Sequence, residues 1–254
     1  MSAVLGYLGL GNMGQPMAGR LMDAGHQLVV RDINEAALAP LLERQAQQAS
    51  SGKELADQSE IVICSLPSNN AIREAVLGEG GLIEGSRMRV FVNACTTGSP
   101  FAIEISEALA AKGVATLEAP ISGGPPGARA GTLSVMVSGP KDVYDEVEPY
   151  LRAYGSTMVY CGEKPGLAQV LKLANNILFT VNIFATAEAM AMGVKAGLDP
   201  EIMLQAIGAG TGRNSSIDMI MPNNVMPRTF DFGAAIEILM KDVHLALAEG
   251  EAQG

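Results

Sequence analysis

The 254-residue sequence predicts an α/β domain followed by an all-helical one, on three observations. Short β-branched apolar runs alternate with longer helical patterns up to about residue 160. The alternation stops at a Gly162–Gly166 break, GEKPG, and every later pattern is helical. The expected domains are therefore 1–163 and 164–254.

The strand expectations are 3–8, 27–31, 60–64, 88–92, 114–118, 133–138 and 157–160, with helices at 13–24, 34–48, 69–77 and 99–112. Fully apolar strands alternating with helices point to a mostly parallel sheet covered on both faces. The second domain reads as helices at 167–196, 200–208, 214–221 and 233–249. The first of these would run about 45 Å at a rise of 1.5 Å per residue. From Val170 to Val194 its only formally charged side chains are Lys172 and Glu188. A helix apolar on every side must be buried by more than one partner, which places it at a junction between domains or subunits. Thr180, Asn182, Thr186 and Glu188 interrupt it and no basic flank orients a span, so the expectation is a buried soluble helix and no membrane.

Composition narrows the function. The formal charge is −10, with 17 Lys+Arg against 27 Asp+Glu. An acidic chain without a basic run has no electrostatic footprint for nucleic acid or anionic lipid. Cys64, Cys95 and Cys161 are odd in number and far apart, so neither a disulfide framework nor a metal site is implied, and a reducing, cytoplasmic compartment fits. The two histidines, His26 and His244, read as solvated side chains, Cys64 and Cys161 as small core residues.

Gly9-Leu10-Gly11-Asn12-Met13-Gly14 is a G-x-G-x-x-G loop between an apolar strand and an amphipathic helix. Gly9 permits the tight turn, Gly11 lets backbone approach a pyrophosphate, and Gly14 allows close helix–strand packing. The helix N-terminus then offers free N–H groups to the phosphates. Asp32, 18 residues past Gly14 at the end of the second strand, can bond both ribose hydroxyls and repels a 2′-phosphate. NAD is thus expected over NADP, with Arg31 directed by strand alternation to the other side. The predicted fold is an α/β Rossmann-type dinucleotide-binding domain followed by an all-α domain begun by a long inter-domain helix.

Further stretches stand out: NACTTGSP at 93–100, EAPISGG at 118–124, KLANN at 172–176 and KDVHLA at 241–246. With GLGNMGQPMAGRL they make five motifs spread over Gly9 to Ala246. In this order they resemble the β-hydroxyacid dehydrogenases, the family of 3-hydroxyisobutyrate dehydrogenase and tartronate semialdehyde reductase, related to 6-phosphogluconate dehydrogenase. The resemblance implies an NAD- or NADP-dependent oxidoreductase acting on a small 3-hydroxy acid such as 3-hydroxyisobutyrate, or on the tartronate semialdehyde/glycerate pair. It implies Lys172 as general acid/base and Asn176 as the residue holding substrate, buttressed by Asn175. Ser122, Gly123 and Gly124 would bind the substrate carboxylate. Thr96 would lie beside the nicotinamide ribose, Lys241 would reach cofactor and substrate, and Leu66 and Pro67 complete the cofactor-binding set.

The residues agree with those roles. Hydride transfer from an alcohol needs a group that takes a proton near neutral pH, and burial lowers the proton affinity of a lysine. On a helix, Lys172, Asn175 and Asn176 share a face. Two motifs depart from the family pattern: Cys95 replaces the serine of D-x-S-T, and Gly166-Leu167-Ala168 keeps only the first glycine of G-x-G. The family also continues with further helices, so the resemblance implies a sequence that stops before them. Two alternatives stand beside the dehydrogenase: an imine reductase, whose relatives usually carry Asp or Tyr where Lys172 stands, and a non-catalytic NAD(P)-binding protein inactivated by truncation. The long apolar helix points to a homodimer or homotetramer.

Overall fold

A computed structural model of the chain describes residues 3–233 and 235–253. The chain divides into two compact units, Met1–Lys172 and Leu173–Gly254.

The first unit runs β1 (Leu5–Leu8), α1 (Gly14–Asp23), β2 (Leu28–Arg31), α2 (Glu35–Leu42), β3 (Gln47–Gln48), α3 (Gly52–Gln58), β4 (Ile61–Cys64) and α4 (Asn69–Leu77). It continues through β5 (Val90–Asn93), α5 (Ser99–Ala110), β6 (Ala115–Glu118), β7 (Ile121–Ser122), α6 (Gly124–Ala130), β8 (Leu133–Ser138), α7 (Lys141–Leu151) and β9 (Gly155–Gly162). The strands form one sheet in the order β3-β2-β1-β4-β5-β6-β8-β7, with β9 on the other edge of β8. From β3 to β6 all pairings are parallel, and β8 joins β6 antiparallel through Glu118 and Ser138. Chain order reverses between β1 and β4, which opens a crevice at their C-terminal ends.

β1, β4 and β5 are buried along their whole length because both faces are covered. Ile61 and Ile63 join a core with Met17, Leu21, Leu38 and Tyr144, while Val62 and Cys64 face Leu55, Ile72, Phe101 and Ile105. Each such side chain contributes about 1.5–3 kcal/mol of burial. Asn34, Ser51 and Ser68 cap α2, α3 and α4 with side-chain oxygens, which sets where those helices begin.

The expected strands are all present within one to two residues at each end. β3, β7, α3, α6 and α7 lie outside the sequence expectations. The helix expected over 34–48 ends at Leu42, because Gln45 adopts a φ of 71° and turns the chain so that Gln47 and Gln48 pair with Val29 and Val30.

The boundary between the units falls inside α8 (Leu167–Lys195). The second unit holds the rest of α8, then α9 (Pro200–Ala209), a π-helical segment (Ser216–Val225) and α10 (Ile236–Gln253). Its core is Met190, Met203, Ile217 and Met221. The π segment replaces the α-helix expected at 214–221; Asn214 Oδ1 accepts from Ser216 N at 2.8 Å at its start. α8 also corrects an expectation. It is buried along one stripe only, through Leu173, Thr180, Thr186 and Met190, whereas Leu178, Val181, Phe184 and Met192 are exposed. Glu188 is exposed as well, His26 is half-buried against the Tyr150 ring, and Cys161 is half-buried.

Candidate active site

The glycine loop leaves β1 at the crevice. Gly9 has a φ of 89°, and a Cβ there would sit 2.4 Å from the Ser65 carbonyl oxygen, just past β4. A Cβ on Gly14 would lie 1.9 Å from the Gly9 oxygen, whereas one on Gly11 would meet nothing within 4 Å. Gly9 and Gly14 therefore serve packing, and Gly11 keeps open space where backbone can face a ligand. Gly11 and Asn12 are exposed, Met13 is half-buried, and Leu10 is in the core.

Asp32 ties the end of β2 to this loop. Its Oδ2 accepts from Leu10 N at 2.6 Å and its Oδ1 from Asn34 N at 2.7 Å. Spare lone pairs on both oxygens remain for hydroxyl donors. Arg31 does not simply point away, as strand alternation predicts: its guanidinium curls back to donate to the Asp32 carbonyl oxygen. The site thus combines a carboxylate suited to ribose hydroxyls with a cation near the same backbone. An open Gly11, packed flanking glycines and Asp32 against the loop fit a dinucleotide.

The loop after β4 meets the loop after β5. Leu66 N donates to Cys95 Sγ at 3.1 Å, and Cys95 Sγ donates to the Cys64 carbonyl at 3.4 Å, while Pro67 stays exposed. Cys95, standing where the resemblance expects serine, is thus a buried tie between two loops; burial also pushes the neighbouring Cys64 thiol up. Thr96 is half-buried between Cys95 and the buried Thr97.

Ser122 ends β7 opposite Ser134 of β8. Gly123 and Gly124 follow with φ of 129° and 62°, a left-handed pair that L side chains rarely adopt and that turns the chain into α6.

Lys172, the last residue of the first unit, is 7% exposed. In the second unit Asn175 Nδ2 donates to Asn176 Oδ1 at 3.1 Å, and Asn176 Nδ2 donates to Asp242 Oδ2 at 2.6 Å. Lys241 Nζ lies 3.0 Å from Asp242 Oδ1. Asp242, buried and holding both Asn176 and Lys241, is not among the residues the motifs point to, although it is the second letter of KDVHLA. Asn93, Glu118 and Gln169 are also missed. Glu118 is buried, accepts from Asn93 and Gln169 amides, and is pushed up to about 7 by burial. Asn93 and Glu118 open the NACTTGSP and EAPISGG stretches but read there as polar residues at strand ends, and Gln169 reads as a polar residue at a helix start.

Comparison with known proteins agrees with this geometry. Residues 4–162 match the family model described as the NAD binding domain of 6-phosphogluconate dehydrogenase. Residues 166–254 match the one described as NAD-binding of NADP-dependent 3-hydroxyisobutyrate dehydrogenase. The chain is 38% identical to 3-hydroxyisobutyrate dehydrogenase of Pseudomonas aeruginosa, over 98% of this chain and 85% of that one. It is 33% identical to 2-(hydroxymethyl)glutarate dehydrogenase of Eubacterium barkeri, over 98% and 83%. Among solved structures, Mycobacterium tuberculosis 3-hydroxyisobutyrate dehydrogenase with L-serine superposes with a TM-score of 0.91 at 28% identity, over 100% of this chain and 88% of that one. The matches run along nearly the whole length, and the chain belongs to the β-hydroxyacid dehydrogenase family of NAD(P)-dependent oxidoreductases.

Proposed function

We propose that the protein is an NAD-preferring dehydrogenase that interconverts a small 3-hydroxy acid and its semialdehyde, with Lys172 as general acid/base. The observation that carries this reading is the burial of Lys172 on the face of α8 that also carries Asn175 and Asn176, which gathers an amine and two amides within about one helical turn. The bound nicotinamide supplies the hydride acceptor or donor. Lys172 takes the hydroxyl proton in oxidation and returns it to the carbonyl oxygen in reduction. Asn176, one helical turn further along α8, orients the substrate through its amide, and Asn175 holds the Asn176 oxygen. Ser122, Gly123 and Gly124 receive the carboxylate.

The relatives' names sharpen the substrate class. 3-Hydroxyisobutyrate, 2-(hydroxymethyl)glutarate and L-serine all carry a primary alcohol one carbon away from the carbon that bears a carboxylate. We extend that pattern to this chain: carboxylate capture by the Ser122 loop leaves the alcohol carbon to the lysine. The free cysteines support a reducing, cytoplasmic setting, and the exposed stripe of α8 supports a homodimer or homotetramer.

Incubation with NAD and a panel of hydroxy acids is expected to yield NADH with at least one β-hydroxymethyl carboxylate. Lys172→Ala is expected to lower kcat by about 10²- to 10⁴-fold, the usual worth of a positioned acid/base, while NADH binding changes less than twofold. Substantial turnover in Lys172→Ala would sink the assignment.

A further inference from the structure

Glu118, at the end of β6, is buried and meets amides instead of a cation. Asn93 Nδ2 donates to Glu118 Oε2 at 3.0 Å and Gln169 Nε2 donates to the same oxygen at 2.5 Å. Glu118 Oε1 has no hydrogen-bond partner among the described residues. A buried carboxyl left partly unsatisfied is costly to the fold, so its role is not stability alone.

Gln169 is fully buried and spends its remaining capacity on the loop after β5. Its Nε2 also donates to the Cys95 carbonyl at 3.0 Å, and its Oε1 accepts from Thr97 N at 2.9 Å. Asn93 Oδ1 takes the Cys95 N–H at 3.1 Å. One amide therefore joins the end of β6, the Cys95–Thr97 loop and the first turn of α8. Two further contacts seat that turn. Ala168 N donates to Ser138 Oγ at 3.1 Å, and Gly166 approaches so closely that a Cβ there would lie 2.7 Å from the Ser99 Cβ. Lys172 follows Gln169 by three residues, just under one turn.

We propose that Gln169 is a positioning residue: its amide clamps the Cys95–Thr97 loop to the first turn of α8 and so fixes the register from which Lys172 presents its amine. The proposal rests on Lys172 being the acid/base. Glutamine suits the task because one planar group supplies an acceptor for Thr97 N and two donors, for Cys95 O and Glu118. An apolar residue would take the bond from Thr97 N and from the Cys95 carbonyl and leave Glu118 with the Asn93 amide.

Gln169→Met keeps the length and apolar volume of the side chain and removes the amide. It is expected to lower kcat about 10- to 100-fold, the scale of a misplaced catalytic group, with KM and NADH Kd within twofold. Amide hydrogen exchange over 166–172 is expected to accelerate. Wild-type kcat, or a loss confined to KM or to NADH binding, would overturn the proposal. Where Gln169→Met fails to fold, Gln169→Glu carries the test. It keeps the acceptor for Thr97 N, and once protonated it again donates towards Glu118. Its kcat relative to wild type should rise as pH falls from about 8 to about 6, through the carboxyl range that burial has raised; a pH-independent ratio counts against the clamp. Lys172→Ala, run in parallel, separates the two readings. Retained turnover there removes the acid/base role and the clamp with it, whereas an inactive Lys172→Ala beside a wild-type Gln169→Met sinks the clamp alone.

Discussion

Gly11 and Gly14 lie three residues apart, yet the same substitution should damage them in different ways. A methyl on Gly14 would meet the Gly9 carbonyl at 1.9 Å, a backbone clash that no rotamer relieves. Gly14→Ala is therefore expected to destabilise the fold by about 1–3 kcal/mol or more, as overpacking does, seen as a fall in Tm. A methyl on Gly11 meets nothing, so Gly11→Ala should keep the wild-type Tm while NADH Kd rises about tenfold, roughly 1.4 kcal/mol. Unchanged NADH affinity in Gly11→Ala would mean that the pyrophosphate does not approach that backbone. Asp32 invites a charge test. Asp32→Asn keeps an oxygen to accept from the backbone but removes the carboxylate, leaving the Arg31 guanidinium beside it. The ratio of kcat/KM for NAD over NADP should fall about tenfold or more, again about 1.4 kcal/mol; an unchanged ratio would place cofactor choice elsewhere.

Among the elements, β6 carries a pH-dependent load through Glu118. Its folded value of about 7 lies above the ordinary 4.5, because burial penalises the carboxylate more than two amide donors relieve it. Between those values the folded protein keeps a proton that the unfolded chain releases. The folded state binds more protons there, so stability falls as pH rises from about 4.5 to about 7, by roughly 3 kcal/mol in all. Denaturant melts at pH 5, 6, 7 and 8 should show this loss in the wild type and a flatter profile in Glu118→Gln; parallel profiles would refute it. The strand that carries Glu118 was legible in the sequence, and the glutamate's role was not. ATLE reads as a buried strand by its apolar letters, while a carboxyl that faces Gln169 across 51 residues of sequence leaves no local signal. Asp242 is similar, since its partner Asn176 is 66 residues away. Periodicity exposed the regular elements because burial acts locally on every second or fourth residue. It missed α6, whose GPPGARA composition reads as a loop, and β7, whose two residues are too short for any period. α7 was readable in principle from the buried stripe Tyr144, Val147 and Leu151.

For the whole molecule, α8 is a long element that one chain covers only in part. Its 29 residues are long and apolar enough, by length and composition, to cross a membrane, and in the most apolar stretch 22% of residues are buried. Its buried stripe includes Thr180 and Thr186, whereas the exposed side presents Leu178 at 64%, Val181 at 57%, Phe184 at 54% and Met192 at 71%. The covered side also carries Leu173 and Met190, so the helix is apolar on both sides and one chain covers only part of that surface. An exposed apolar stripe of this length favours a partner surface, and the proposed homo-oligomer would supply it from a second copy of the chain. Sedimentation equilibrium at micromolar concentration is then expected to give a mass of at least twice 26.4 kDa. Tm should rise with protein concentration, as it does when folding and association are linked. Val181→Asp with Phe184→Asp puts two carboxylates on the stripe, which should shift the species towards a single chain and remove the concentration dependence. A strictly single-chain wild type would refute the assembly, and a wild type that stays in solution only with detergent would assign the stripe to a bilayer instead.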